Sequence, residues 1–236
     1  MKALVIIPTY NERENIAAIT KAVLTATANS ADVETHVLVV DDNSPDGTGA
    51  IVQDLMLNEP RLRLLSRPGK QGLGRAYIAA FKWGLAESYD VLVEMDADFS
   101  HRPEDLLKLF EAIKNKDFAT GSRWVRGGST VNWGLLRKII SRGGSLYTRL
   151  ILGYKISDWT GGFNAWRAEV LRGIDLDGVQ SNGYSFQIEL KYRSLKNGFK
   201  GIEVPIVFED RRVGKSKMSS KIVIEALGRV WGMRFR

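Results

Sequence analysis

The chain reads as a single α/β domain built on a mostly parallel sheet, and three features of the sequence predict it. Short apolar runs of strand length alternate with segments whose apolar residues have helical spacing, the order that yields right-handed βαβ units. The first two runs, ALVIIP and HVLVV, are near-continuously apolar, as strands covered on both faces are. The runs also end at turn formers and acids, the rim where such sheets bind ligands. A length of 236 residues, 44% of them hydrophobic, fits one domain with a sizeable core and excludes a disordered chain.

Taken in order, Ala3–Pro8 is a buried strand. From Asn11 to Leu24, Ile16, Ile19 and Val23 mark one face of a helix. His36–Val40 is a second strand, ending in Asp41-Asp42-Asn43-Ser44-Pro45-Asp46-Gly47, a dense turn signal before a helix over Thr48–Leu57. Arg61–Leu65 is a third strand. The glycine-rich stretch Arg67–Gly74 leads into a helix ending near Leu85; it has neither the P-loop nor the GxGxxG spacing. Val91–Met95 is a fourth strand, stopping at Asp96-Ala97-Asp98. Pro103 suits the first turn of a helix reaching Ile113, and a fifth strand ends at Gly121-Ser122-Arg123. Beyond residue 125 the pattern loosens, and that half is expected to be the acceptor-facing part of the same domain.

Charge is unevenly placed. Residues 211–236 carry eight Lys/Arg and one acid, which accounts for the whole net charge of +7 and leaves 26 basic and 26 acidic groups elsewhere. No Asp or Glu occurs from Phe118 to Ser157, a stretch that includes Arg123, Arg126, Arg137, Lys138, Arg142, Arg149 and Lys155. Two basic segments on a neutral body point to an anionic partner such as phosphate, acidic lipid or nucleic acid. There is no cysteine, so no disulfide, thiolate metal site or thiol nucleophile can form. No apolar run reaches 18 residues, and the N-terminal run is too short for a secretory signal; the default expectation is a cytoplasmic location.

Asp96 and Asp98, at i and i+2 beyond a buried strand, bring hard oxygens together and suit Mg²⁺ or Mn²⁺, which often share a substrate diphosphate; the alternative is a solvated acidic turn. Asp41-Asp42 suits a ribose hydroxyl or a base N–H, or else an Asx turn. Arg123 aims a guanidinium at the same rim, a phosphate contact if it faces the carboxylate pair. Arg211-Arg212-Val-Gly-Lys-Ser-Lys217 is a basic loop. His36 and His101 are not paired in sequence, and no Ser/His/Asp arrangement is evident.

Five segments together, Ile6–Asn15 (IIPTYNEREN), Val40–Thr48 (VDDNSPDGT), Met95–His101 (MDADFSH), Gly121–Arg123 and Arg211-x-x-Gly-x-Ser-Lys217, resemble the dolichol- or polyprenol-phosphate mannosyltransferases, and Asp175–Glu189 looks most like their bacterial members. The resemblance spans residues 3 to about 225. It implies an inverting, metal-dependent GT-A (nucleotide-diphospho-sugar transferase) fold over 1–220, transferring mannose from GDP-mannose to polyprenyl (dolichyl-type) phosphate. It also implies roles. Pro8, Tyr10, Glu12, Val40 and Asp42 would hold the nucleoside. Asp96 and Asp98 would bind Mg²⁺ or Mn²⁺ with Ser100 as a further ligand acting through water, the Ala97 backbone lying beside the donor. Arg123, Gln187, Arg211 and Lys217 would line the diphosphate and sugar, with Asp96, Asp98, Arg123 and Arg211 the catalytic set. Arg137 and Ser141 would meet the lipid phosphate. Asp158 would orient the sugar or cap a loop.

A phosphate monoester has a second pKa of about 6, so the acceptor is already an anionic nucleophile and the enzyme needs cations more than a base. A related transferase using UDP-glucose or UDP-GlcNAc is the nearest alternative. A nucleotide- or RNA-binding module is disfavoured because three acidic strand ends at one rim would repel a polyanion, so no nucleic-acid partner is expected. Residues 221–236 interleave Ile222, Ile224, Leu227, Val230, Trp231, Met233 and Phe235 with Arg229, Arg234 and Arg236. They read as an amphipathic helix lying peripherally on the cytoplasmic face of a membrane, or as a terminal helix covering the core; a membrane-anchoring partner protein is the other route to docking.

Overall fold

The structure is a computed structural model, described over residues 1–210 and 228–235. The first half follows the alternation expected: β1 (Lys2–Thr9), α1 (Ile16–Ala26), β2 (Glu34–Asp41), α2 (Thr48–Met56), β3 (Leu62–Ser66), α3 (Leu73–Ala86), β4 (Val91–Glu94) and α4 (Leu106–Ile113), the last preceded by a 3₁₀ turn at Pro103–Asp105. Helix α1 starts later than the spacing predicts. Asn11 takes a left-handed φ of 62°, and the amides of Asn15 and Ile16 close a turn on the Glu12 carbonyl before the helix begins.

The second half contains β5 (Phe118–Ser122), β6 (Ser129–Val131), α5 (Leu135–Leu152), β7 (Asn164–Arg167), α6 (Ala168–Gly173), α7 (Tyr184–Lys196), β8 (Gly201–Pro205) and β9 (Val207–Glu209). The main sheet has the order β3-β2-β1-β4-β7-β5-β8, and β6 pairs with β9 in a small parallel ribbon. Strand β7 enters between β4 and β5 and runs antiparallel to both, while the other pairings of the main sheet are parallel.

Period-2 alternation splits the core into two layers. Leu4 and Ile6 of β1, Leu38 and Val40 of β2 and Leu92 of β4 face one layer with α3, α6 and α7. Ala3, Val5, Ile7, Val37, Val39, Val91 and Val93 face the other, with α1 and α4. The segment 228–234 is helical. Its Val230 and Met233 are buried in the first layer, whereas Trp231 and Phe235 are exposed. These residues thus cover core and present aromatics to solvent at once; 221–227 lie outside the described residues.

Gly74 shows why the glycine-rich stretch is glycine-rich. A Cβ there would meet the Phe186 ring at 2.8 Å and the Ser181 carbonyl at 2.9 Å, so the glycine permits α3 to pack against the turn before α7.

Candidate active site

A cavity of about 430 Å³ opens at the carboxyl ends of the parallel strands. Pro8, Tyr10, Glu12, Asp42, Asp96, Ala97, Asp98, Ser100, Arg123, Arg137, Ser141 and Gln187 all line it. Thus twelve positions scattered over 180 residues of sequence meet in one chamber. Val40 is the exception and a correction: its side chain is wholly buried in the core, because β2 is covered on both faces. Arg211 and Lys217 lie outside the described residues. A larger cavity of about 800 Å³, near Asp175, Glu189 and Arg193, contains none of the strand-end carboxylates.

The turn after β2 divides its acids by job. Asp41 accepts hydrogen bonds from the Thr9 hydroxyl at 3.0 Å and from the Ser44 amide at 3.0 Å, forming the Asx turn. Asp46 accepts from the Thr48 amide and hydroxyl at the start of α2. Asp42 alone turns to the cavity, paired with Arg67 at 2.5 Å. Burial raises its pKa above the ordinary value and the Arg67 charge opposes that rise.

The turn after β4 carries the second acidic group. The Ser100 amide donates to Asp98 Oδ1 at 3.1 Å, and Phe99 adopts φ 61°. Both features fold Asp96–Ser100 back on itself at the cavity wall. His101, which the sequence left without a role, holds this turn from behind. Its Nδ1 accepts from the Asp96 amide at 3.1 Å, and its ring stacks on Phe163 at 4.8 Å and meets Phe208 edge-on at 5.4 Å. Burial pushes its pKa down to about 4, so the ring is neutral near pH 7 and carries its proton on Nε2.

Asp96 and Asp98, with the Ser100 hydroxyl, could hold a divalent ion. The Ser100 Oγ is buried with no hydrogen-bond partner, a lone pair left over for a ligand or a bound water. Among the described residues no group of three His, Cys, Asp or Glu side chains encloses an ion. Two carboxylates that leave the remaining positions to phosphate oxygens and water are the Mg²⁺ pattern rather than a closed protein cage.

Arg123 lines the chamber, and its guanidinium is buried in an ion pair. Its Nε and Nη2 bind the two oxygens of Asp158, each at 2.7 Å, and its Nη2 also donates to Thr160 at 2.9 Å. The rings of Trp133 and Phe208 lie 5.2 and 5.4 Å from the guanidinium carbon. Asp158 is fully buried; burial alone would raise its pKa, but Arg123 and Lys191 more than offset that and hold it below the ordinary value. The Asp158 carboxylate also accepts the amides of Arg123 and Gly161, so it caps the loop and fixes the arginine together.

Beneath this pair runs a buried polar network. Lys191 donates to the carbonyls of Asp158, Trp159 and Gly161 at 3.1, 3.3 and 2.9 Å. Asn164 donates to Glu94 at 2.8 Å and to Gln187 Oε1 at 2.9 Å, which leaves the Gln187 Nε2 beside Gly162 without a partner. Burial pushes the Lys191 ammonium down to about 8 and the Glu94 carboxyl up to about 7.

At the far wall Arg137 lies 3.9 Å above the Trp133 ring and pairs with Asp210 at 2.9 Å. Neither the Arg137 Nε nor the Ser141 hydroxyl has a hydrogen-bond partner. Lys70, a cation on the cavity wall that sequence reasoning passed over, sits 4.3 Å from the Tyr10 ring. Its adjacency to Tyr10 spans 60 residues and left no local signal.

Comparison with known proteins finds relatives over the whole chain. The chain is 49% identical to the polyprenol monophosphomannose synthase of Mycolicibacterium smegmatis, covering all of this chain and 88% of that protein. It is also 49% identical to the undecaprenyl-phosphate mannosyltransferase of Micrococcus luteus, covering 96% of it. Identity to the dolichol-phosphate mannosyltransferase of Pyrococcus furiosus is 39%, over 63% of that longer protein. The fold resembles glucosyl-3-phosphoglycerate synthase from Mycobacterium tuberculosis, solved with Mg²⁺ and UDP, with a TM-score of 0.68, 18% identity and coverage of 98% of this chain and 79% of that one. The profile of Glycosyl transferase family 2 matches residues 4–175. With a GT-A-like sheet, a carboxylate pair after the fourth strand and full-length relatives of this kind, the chain belongs to glycosyl transferase family 2.

Proposed function

We propose that this glycosyltransferase transfers mannose from GDP-mannose, with inversion, to the phosphate of a polyprenyl (dolichyl-type) phosphate, working peripherally at the cytoplasmic face of a membrane. The observation that carries the reading is one chamber with two unlike ends. The Asp96–Asp98 turn and Asp42 lie toward β1, β2 and β4, and Arg137 and Ser141 lie on α5. The full-length relatives named as mannosyltransferases acting on polyprenyl phosphates support the choice of sugar and acceptor.

In this reading Tyr10, Glu12 and Asp42 hold the nucleoside, and Pro8 shapes the floor beneath it. Asp96 and Asp98, with Ser100, hold Mg²⁺ or Mn²⁺, which when bound neutralises the departing diphosphate. The Gln187 Nε2 donates to the sugar or diphosphate, the ligand that the family resemblance also assigns to Arg211 and Lys217. Arg137 and Ser141 orient the acceptor phosphate through the donors left over in their own pairing. The acceptor is already charged at neutral pH, since its second pKa is about 6. No protein base need take its proton, and the side chains' work is to bring two anions together in line. Arg123 acts from behind: fixed by Asp158, it adds positive potential to the chamber.

The test is transfer. Purified protein with Mg²⁺ or Mn²⁺, polyprenyl phosphate and a panel of labelled nucleotide sugars should give labelled lipid from GDP-mannose and require the metal. Faster transfer from UDP-glucose or UDP-GlcNAc would replace the donor assignment.

A further inference from the structure

Among the described residues five acids line the chamber. Glu12, Asp42, Asp96 and Asp98 stand at its donor end, but Asp210 stands on the far wall with Arg137 and Ser141. A carboxylate there repels the anion that this wall would receive, so it opposes binding unless it also organises the site. Asp210 follows β9, and alternation along that strand puts Phe208 and Asp210 on one side and Glu209 on the other. The strand end is tied down on both sides. The Glu209 amide donates to the Ser100 carbonyl at 3.3 Å, and the Glu209 carboxylate pairs with Arg102. The Asp210 amide donates to the Val131 carbonyl at 3.2 Å. Phe208 meets the Trp133 ring edge-on at 5.3 Å, and Trp133 in turn underlies the Arg137 guanidinium. Asp210 is thus a fixed hydrogen-bond acceptor at the edge of a fixed aromatic platform.

We infer that Asp210 is a positioning residue for the acceptor phosphate: it clamps one end of the Arg137 guanidinium so that the other edge, with the Ser141 hydroxyl, forms a ready seat for the anion. A guanidinium is a planar fork of five donors. The Trp133 ring, 3.9 Å away, fixes its plane. Asp210 Oδ1, accepting from Nη1 at 2.9 Å, fixes its rotation within that plane. The donor left over is on the stem side, where Arg137 Nε is buried with no hydrogen-bond partner. Ser141 stands four residues on, so α5 carries it on the same face, and its hydroxyl is buried and unpartnered as well. Two unpartnered polar groups on one helix face, in the wall of one chamber, are what the oxygens of a phosphate satisfy. Because Asp210 engages Nη1 and leaves Nε, it holds the arginine without taking the anion's place. Without the clamp, Arg137 has the rotamer freedom of a long side chain to lose on binding, and that loss reads as weaker acceptor affinity.

The identity of the anion rests on the function proposed above, and binding is therefore measured apart from transfer. The full chain and the variants Asp210→Ala, Asp210→Asn and Arg137→Ala are titrated by calorimetry with a water-soluble short-chain prenyl phosphate in the absence of donor. Each is then assayed for the KM of the acceptor and of GDP-mannose. Asp210→Ala should bind the prenyl phosphate about tenfold more weakly than the parent, with the acceptor KM rising to match and the GDP-mannose KM unchanged. Asp210→Asn keeps an oxygen for Nη1 and should restore affinity to within about threefold of the parent. A merely structural Asp210 would shift both KM values and the melting temperature together, and that result overturns the inference. An alanine variant that binds as the parent does overturns it too. Tighter binding by both Asp210 variants would also overturn it, making Asp210 a competitor for Arg137 instead of its clamp. A parent that binds no better than Arg137→Ala overturns the seat and the clamp together. If the alanine and asparagine variants split as expected in binding but no mannose reaches a lipid acceptor, the proposed function fails and the inference stands.

Discussion

The two ends of the chamber are built differently. At the donor end, the acids sit on turns a few residues long that neighbours close, Ser44 on Asp41, Ser100 on Asp98 and Thr48 on Asp46, and Asp42 alone among them reaches a partner as far off as Arg67, 25 residues away. At the acceptor end, the groups are joined across long stretches of chain. Arg123 binds Asp158 35 residues away, Arg137 binds Asp210 73 residues away, and Lys191 gathers the loop at 158–161. The strand-end turns thus place Asp42, Asp96 and Asp98 on the chamber wall by local geometry, whereas the Arg123 and Arg137 side is tied together by charges drawn from distant stretches of chain. One family scaffold therefore keeps a locally encoded donor end beside an acceptor end that is a product of the whole fold.

That contrast can be broken or sharpened by substitution. The largest effect is expected at Asp98→Asn. The amide oxygen can still accept the Ser100 amide, so the turn persists, but the charge that would hold the metal is gone; transfer should fall about 10³-fold with the melting temperature little changed. Kinetics alongside calorimetry decide it, and a protein that melts early would mean the donor end is also structural.

Asp158→Asn should behave oppositely. It leaves Arg123 buried beside a neutral group, which costs about 3 kcal/mol of stability, visible in urea unfolding. A stability equal to the parent's would place the pair's value in function alone.

Arg137→Ala separates the two substrates. The apparent KM for polyprenyl phosphate should rise by about 10- to 100-fold, as for a lost charge-assisted contact of 1.5–3 kcal/mol, while that for GDP-mannose stays put. Equal rises would erase the two-ended description.

The smallest effect concerns pH. The folded state holds Lys191 at about 8 against an ordinary 10.5. Between those values the unfolded chain binds more protons, so this group's contribution makes stability rise with pH. Lys191→Met should flatten that component, at most about 1.4 kcal/mol per pH unit, when melting is followed from pH 8 to 10. An unchanged slope would show that the buried ammonium does not titrate in this range.

How much of this was legible before folding follows the same division. The alternation of ALVIIP, HVLVV and VLVEM with helical spacing sets the α/β class because burial on two faces and amphipathic periodicity are local properties. The strand-end acids were legible for the same reason: a turn signal directly after a buried strand puts them at the rim. Val40 was misplaced because motif resemblance does not show that β2 is covered on both faces, which buries its side chain in the core. Lys70 and Asn164 left no signal, since their partners lie in other elements, and His101 gave none of the packing on Phe163 and Phe208 that fixes its ring. Strand β7 was invisible because its antiparallel place between β4 and β5 depends on neighbours 70–76 and 44–48 residues away in sequence.

Sequence alone determined the class of fold, the acidic rim and the acid-free basic stretch, all of which depend on residues near one another. Tertiary structure decided that Arg123 is clamped by Asp158 at the chamber wall, that Gln187 lines the same chamber, and that α5 turns its apolar stripe outward. A helical period shows that a stripe exists. Only the packing of the rest of the chain, which claims the small and polar face of α5 for the chamber, determines which medium the stripe meets.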